Sequence, residues 1–409
     1  MKEKEIKKFI KKKKIQKHKE EKNFVKNKYI QFFNNMKKFK ISIILFLAFI
    51  SFFLFSSFFA NKNKFSYPKM FSKPSKIKRV GVVNLPISQN IGNFLVKFAM
   101  FKKLEELGFN ATIIAPNKKI DPLEVNRTFL DRTINSHLLI TNENFSDIKE
   151  NDYDYLMVSS DQTWAFYNSK FFYNVALLKF AEKWNVKKFI YAASTGRYNW
   201  FFKKSDEALF QHLLTNFTGI SFREKGMVKL LKEHLDLKSE FVLDPTLLLD
   251  KQYYLNEIKN FTSKFSPKEK FIFVYQLDNK FVITKTIRDA CEKFNFKVYK
   301  LNLSRSDLVE SFIYGINNSQ AVIADSFHGT VFAIMFNKPF ISFSNLNRGK
   351  ARFDSLKEVF HLRNRIIEPF RYAKIDINLL LEPPNINQTL FNEIRNFSIN
   401  YLKKNLDMV

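Results

Sequence analysis

A single cysteine, Cys291, among 409 residues excludes an intrachain disulfide and any cysteine-rich metal site, so the fold rests on packing. Glycine and proline are scarce as well, nine and eleven, which excludes collagen-like and Gly/Pro-rich low-complexity chains. Acidic residues are in deficit: 39 face 68 lysines and arginines, for a net charge of +29. The six histidines are scattered with no pair at ligand spacing, so no metal is expected. What abounds is phenylalanine, 49 residues, alongside Lys, Asn and Ile. That mixture has the look of AT-rich coding drift, and single Phe or Lys positions therefore carry little functional weight. A hydrophobic share of 45% with 26% charge excludes a fully disordered chain. The length suits two domains plus an appendage.

The positive charge is concentrated early, since residues 1–80 hold 23 Lys and Arg against 4 acidic residues. A basic tail of this kind (1–40) can bind phosphate-rich partners. Residues 41–60, ISIILFLAFISFFLFSSFFA, follow it without one charge. Twenty helical residues span about 30 Å, the thickness of a bilayer core. A membrane is therefore the expected partner through 41–60, and nucleic acid is not. Residues 61–78 read as a stalk. Basic residues flank the span on both sides and favour a cytoplasmic tail only moderately. Nine Asn-x-Ser/Thr sequons, at Asn110, Asn126, Asn144, Asn216, Asn260, Asn302, Asn317, Asn387 and Asn396, favour a luminal, Golgi-like body if the source is eukaryotic. In a bacterium, a cytoplasmic body is the alternative.

From Arg79 onward, short apolar runs alternate with amphipathic stretches. Strands are expected at Val80–Val83, Ala111–Ala115, Tyr155–Ser159, Lys188–Ala193, Gly219–Phe222 and Glu240–Leu243. A second series follows: strands at Phe271–Tyr275, Lys297–Leu301, Ala321–Ala324 and Pro339–Phe343, with helices at Thr284–Phe294, near Asp307–Gly315 and after Gly329. This alternation predicts an α/β protein with two doubly wound Rossmann-like domains, 79–250 and 271–409, joined by a linker at 251–270 and facing a cleft. In such sheets ligands sit beyond the carboxyl ends of the strands.

Four strand-to-helix turns carry the chemistry. The first, Ser88 to Asn93, offers Asn90, Gly92 and Asn93 at a helix start, where backbone amides favour an anion or a hydroxyl-rich ligand. The second gathers Ser160, Asp161, Gln162 and Trp164, a set that suits a sugar; the alternative is a helix cap with Trp164 in the core. The third holds Ser194, Gly196 and Arg197. In the fourth, Ser326, His328, Gly329 and Thr330 follow a strand, and a histidine there can pass a proton to a bound anion. Arg223 lies just past one strand, and Arg348, Lys350 and Arg352 follow another. Guanidinium groups converging on a cleft suit a ligand that carries phosphate and carboxylate together.

The motifs NIGN, SSDQTW, YAASTG, SFREKG, LDPTLLL and ADSFHGTVFAIMFNKPFI, followed by RxxxR, resemble the polysaccharide pyruvyl transferase family in order and spacing over about residues 79–365. The resemblance implies a fold similar to the two-domain (GT-B) glycosyltransferases. It also implies an enzyme that transfers pyruvate from phosphoenolpyruvate to two hydroxyls of one sugar as a cyclic ketal, releasing phosphate. Phosphoenolpyruvate would be a co-substrate and no cofactor is expected; the acceptor would be a glycan or a lipid-linked oligosaccharide. Matched motif by motif, Asp161, Arg223 and His328 become the catalytic candidates, with His328 as general acid. Many members have arginine where this chain has Ser326 and others share its S-F-H-G form, which leaves open the cation that holds the carboxylate, with Arg348 and Arg352 as the substitutes. Two other readings stand beside it: a glycosyltransferase using a nucleotide sugar, and a membrane-tethered binding protein without activity.

Overall fold

The computed structural model describes residues 77–409 apart from 89, 117–126, 135–136, 264–269, 279–280, 305, 345–347 and 369–374. The basic tail, the expected span at 41–60 and all but the last two residues of the stalk lie outside them. So do Gln89 and the sequon Asn126. Among the described residues no helix is long and apolar enough to cross a membrane.

Two parallel sheets organise the described chain. The first runs β3-β2-β1-β4-β5-β6, with β1 Arg79–Val83, β2 Asn110–Pro116, β3 Leu138–Thr141, β4 Tyr155–Val158, β5 Lys187–Ile190 and β6 Phe217–Gly219. A short parallel pair, β7 Ser221–Phe222 and β8 Glu240–Phe241, follows. The second sheet runs β10-β9-β11-β12-β13, with β9 Phe271–Tyr275, β10 Lys297–Lys300, β11 Ala321–Ala324, β12 Phe340–Phe343 and β13 Ile366–Ile367. Central strands such as β4, β9 and β11 are buried along their whole length, because helices cover parallel sheets on both faces. Strand order reverses direction between β1 and β4 in the first sheet and between β9 and β11 in the second. Such switch points open a crevice at the strands' carboxyl ends.

Five helices position the site or tie the halves together: α1 Ile91–Glu106, α2 Lys251–Glu257, α3 Phe327–Met335, α4 Lys350–Val359 and α5 Gln388–Asn405. Nearly every side chain of α1 is buried, as befits a helix lying between two sheets rather than on a surface. Tyr254 of α2 packs its ring 5.7 Å from Phe98 of α1 and 4.8 Å from Phe332 of α3. One apolar cluster thus runs through both halves.

Three boundaries differ from expectation. The strand expected at Gly219–Phe222 divides at Ile220, so its two pieces join different sheets. The stretch 251–270, expected as a linker, opens with helix α2, which the burial of Tyr254 holds in place. The helix α5, expected within the second domain, packs on the first. Its Tyr401 hydroxyl donates to the Ile190 carbonyl at 2.8 Å, Ser398 Oγ accepts from the Leu243 amide at 3.0 Å, and Asn405 Oδ1 accepts from Thr218 at 2.8 Å. Buried polar groups of the first half thus gain partners on α5, in the case of the Ile190 carbonyl beside the nearer Ser221 hydroxyl at 2.9 Å.

Candidate active site

The two switch points open onto one cleft of about 440 Å³. The β1 turn contributes Leu85 to Ser88, Asn90 and Asn93, and the β4 turn contributes Asp161, Gln162 and Phe166. From the second sheet come Leu277, Asp325, Ser326, Phe327 and His328, with Arg348 from the segment before α4 and Arg352 from its first turn.

Behind this wall lies a buried charge cluster. Arg223 donates through Nη1 to Asp244 and through Nη2 to Asp161, the latter at 3.2 Å. Asp244 also caps the turn after β8, accepting from the Thr246 amide at 3.1 Å and hydroxyl at 2.7 Å. Burial disfavours the Asp161 carboxylate, yet the charges of Arg223, His328, Arg352 and Lys97 outweigh it and hold the group well below the usual carboxylate range. Asp161 has a φ of 116°, a conformation that costs a non-glycine residue energy and is retained where the surroundings fix it. Single bridges from Asp161 to Ala193 and from Ala193 to Phe222 extend the first sheet and align Asp161 with Arg223.

His328 stands in the first turn of α3, 4% exposed, with Nε2 3.8 Å from the Asp244 carboxylate, too far for a hydrogen bond. Burial lowers its pKa to about 4, with Arg223 and Arg352 also opposing protonation while Asp244 and Asp161 favour it. The imidazole is therefore neutral at pH 7. Arg352 is also buried, and its pKa falls to about 10 through burial and the neighbouring Arg223. Its Nε and Nη2 donate to the carbonyls of Gly349 and Arg348. Among the described residues no carboxylate pairs with it. Both Arg223 and Arg352 place their guanidinium carbons over the Phe327 ring, 5.0 and 4.8 Å from its centre. Arg348 is half exposed and holds Asp278 in a two-pronged pair, with Nη2 2.8 Å from Oδ1.

A surplus cation, a neutral imidazole and an ionised carboxylate thus share one wall. The model for the family described as "Polysaccharide pyruvyl transferase" matches residues 90–347. The chain belongs to the polysaccharide pyruvyl transferase family. Comparison with curated proteins gives no match. Among solved structures, the UDP-GlcNAc 2-epimerase from Neisseria meningitidis bound to UDP-GlcNAc is similar at 13% identity and a TM-score of 0.49, covering 80% of this chain and 100% of that one. The N-terminal domain of Candida albicans trehalose-6-phosphate phosphatase is similar at 13% identity and 0.46, covering 83% and 100%. The UDP-GlcNAc 2-epimerase of Methanocaldococcus jannaschii gives 12% and 0.44, covering 79% and 99%.

In this pyruvyl transferase family member, Asn90, Asn93, Asp161, Gln162, Ser326, His328, Arg348 and Arg352, all singled out in the sequence, line the cleft. Others stand behind it. Arg223, expected to act directly on substrate, lines a small void with Asp244 and Phe327 instead, because two carboxylates claim its guanidinium. Ser194 and the Gly196 amide both donate to buried Glu224. Thr330 bonds Ser342 Oγ at 2.7 Å, and Gly329 lets α3 approach Ala324 of β11. Ser160 is fully buried, with its carbonyl accepting from Asn84 Nδ2 at 2.9 Å. Gly92 lies under the His328 ring. Trp164 is a core residue, edge-on to Phe222 at 5.1 Å. Sequence reasoning missed Lys97 as a site residue. A lysine within the apolar face of α1 was the available signal, masked by the chain's overall lysine content.

Proposed function

We propose that this chain moves the pyruvyl group of phosphoenolpyruvate onto two hydroxyls of one sugar residue in a glycan, forming a cyclic ketal and releasing phosphate. The observation that carries the reading, beside the family match, is Arg352: a buried guanidinium on the cleft wall, without a carboxylate partner among the described residues, next to His328. Such a cation attracts a phosphate or carboxylate, whereas Arg348 at the same wall is already paired with Asp278.

The chemistry needs an acid, a base and anion-binding cations. A proton adds to the methylene carbon of phosphoenolpyruvate, which becomes the ketal's methyl group, and the central carbon turns cationic. One sugar hydroxyl adds there and loses its proton. The bond from that carbon to the phosphate oxygen then breaks, with the electron pair leaving on phosphate, and the second hydroxyl adds and loses its proton. Of the two hydroxyl protons, one balances the proton placed on carbon and the other leaves with phosphate. In this scheme a bound phosphate dianion raises the pKa of His328, which then takes up a proton from solvent; His328 gives that proton to carbon and recovers one from a hydroxyl. Asp161 remains ionised and stabilises the cationic carbon. Phosphoenolpyruvate enters as a co-substrate, and no other cofactor is part of the proposal.

The test incubates the full chain with phosphoenolpyruvate and a panel of oligosaccharides, following phosphate release and the mass of the glycan. Phosphate released in step with a ketal-bearing glycan is the expected result. Nucleotide release from a nucleotide sugar, with phosphoenolpyruvate untouched, would replace this reading with glycosyl transfer.

A further inference from the structure

Lys97 is fully buried in α1, one turn beyond Asn93, and does not itself reach the cleft wall. Its Nζ donates to Asn93 Oδ1 at 2.8 Å and to Asn84 Oδ1 at 3.3 Å, with the Asn93 carbonyl at 3.5 Å. In its protonated form, which burial confines to below about pH 7, the Lys97 amine has donors only. Both amide oxygens must therefore face it, and a flipped amide would set donor against donor. For Asn84 the freed NH2 group has a protein acceptor, the Ser160 carbonyl at 2.9 Å. For Asn93 it has none among the described residues, although the side chain lines the cleft and is only 2% exposed.

We propose that Lys97 is a positioning residue that turns the Asn93 amide so that its two N–H donors face the cleft, where they bind an oxygen of the phosphate-bearing substrate. An anionic oxygen fits better than a sugar hydroxyl, because the start of α1 presents the positive end of its helix dipole there. The inference rests on the function proposed above and adds a determinant to it: donors fixed by a buried cation that never touches the ligand.

A double-mutant cycle on the full chain at pH 6, where Lys97 carries its proton, tests it. Dissociation constants for inorganic phosphate and phosphoenolpyruvate are measured by calorimetry, together with KM and kcat for transfer. Asn93→Ala and Asn93→Asp should each weaken phosphoenolpyruvate binding at least tenfold. Asn93→Asp is the sharper variant, because its carboxylate pairs with Lys97 and preserves the fold while replacing donors with acceptors. Lys97→Met should weaken binding three- to tenfold, and adding it to Asn93→Ala should cost nothing more, since Lys97 acts through Asn93. Additive losses, or unchanged binding in both Asn93 variants, would overturn the proposal; should Lys97→Met not fold, the two Asn93 variants decide it alone. Phosphate binding that depends on both residues, without pyruvyl transfer to any glycan, would uphold the orienting role while removing the proposed function. A wild-type chain that binds neither ligand would remove both.

Discussion

The imidazole of His328 fills the space that a side chain at Gly92 would need, so a Cβ there would overlap Nδ1 directly. The two residues start helices on opposite sheets, α1 and α3, and their contact sets how near the two switch points approach. Gly92→Ala should force the ring aside or part the two walls. Displacements on the ångström scale cost about 10²-fold in turnover efficiency, and that loss in kcat/KM is the expected outcome for a variant with unchanged circular dichroism. Activity within threefold of wild type would mean that the ring tolerates relocation.

Arg223 and Arg352 both lie over Phe327, yet they should respond to substitution in opposite ways. Arg223→Met strands the Asp161 and Asp244 carboxylates in the interior and should lower stability by about 3–5 kcal/mol, read from the urea midpoint. Arg352→Gln removes a cation that has no carboxylate partner, so the midpoint should hold or rise while the dissociation constant for phosphoenolpyruvate increases at least tenfold, or about 1.4 kcal/mol. If the two variants swapped these signatures, the assignment of Arg223 as structural and Arg352 as ligand-binding would be reversed.

Burial lowers the pKa of Lys97 from 10.5 to about 7, against the opposing charge of Asp161. Between those values the unfolded chain binds a proton that the folded chain does not, so stability gains from this residue as pH rises from 7 toward 10. Lys97→Met should flatten that part of the curve. Equal slopes for the two proteins in urea melts at pH 7, 8 and 9 would show that the ammonium is solvated after all.

For His328→Ala, a loss of about 10²- to 10⁴-fold in turnover is expected if the imidazole carries the proton. A second readout separates this from a packing defect. With a pKa near 4 when folded against 6.5 when free, His328 makes the wild type less stable as pH falls from 6.5 toward 4. The variant should lack that segment of acid sensitivity. Turnover within threefold of wild type would return the residue to a structural role.

Local pattern carried most of the architecture. Phe271–Tyr275 and Ala321–Ala324 occupy the strands expected of them, because buried parallel strands read as short apolar runs between turn residues. The short strands β3 and β13 escaped notice: Leu138–Thr141 is only partly buried and Ile366–Ile367 has two residues, so neither leaves a periodic trace. The four turns were legible because small polar residues interrupt apolar runs there. What sequence did not reveal was which charges meet. Arg223 and Asp244 are separated by 21 positions, and Arg223 and Asp161 by 62; the β7–β8 pairing brings the first two side by side, and the bridges through Ala193 bring the second two. The same holds for Lys97, whose helical spacing to Asn93 was visible but whose second partner, Asn84, precedes the helix.

The return of α5 to the first sheet has a consequence for biosynthesis. The partners that Ile190, Thr218 and Leu243 find on this helix leave the ribosome only after the whole second sheet has been made. The first half of the molecule is therefore expected to wait, incompletely closed, while the second folds, and to lock only when Tyr155 meets the Leu406 carbonyl at 3.1 Å. Domains that fold as each is synthesised avoid such a delay. Here assembly is sequential in translation but simultaneous in completion, and a ribosome stalled before residue 388 would hold a chain whose Leu243 amide still lacks its Ser398 acceptor.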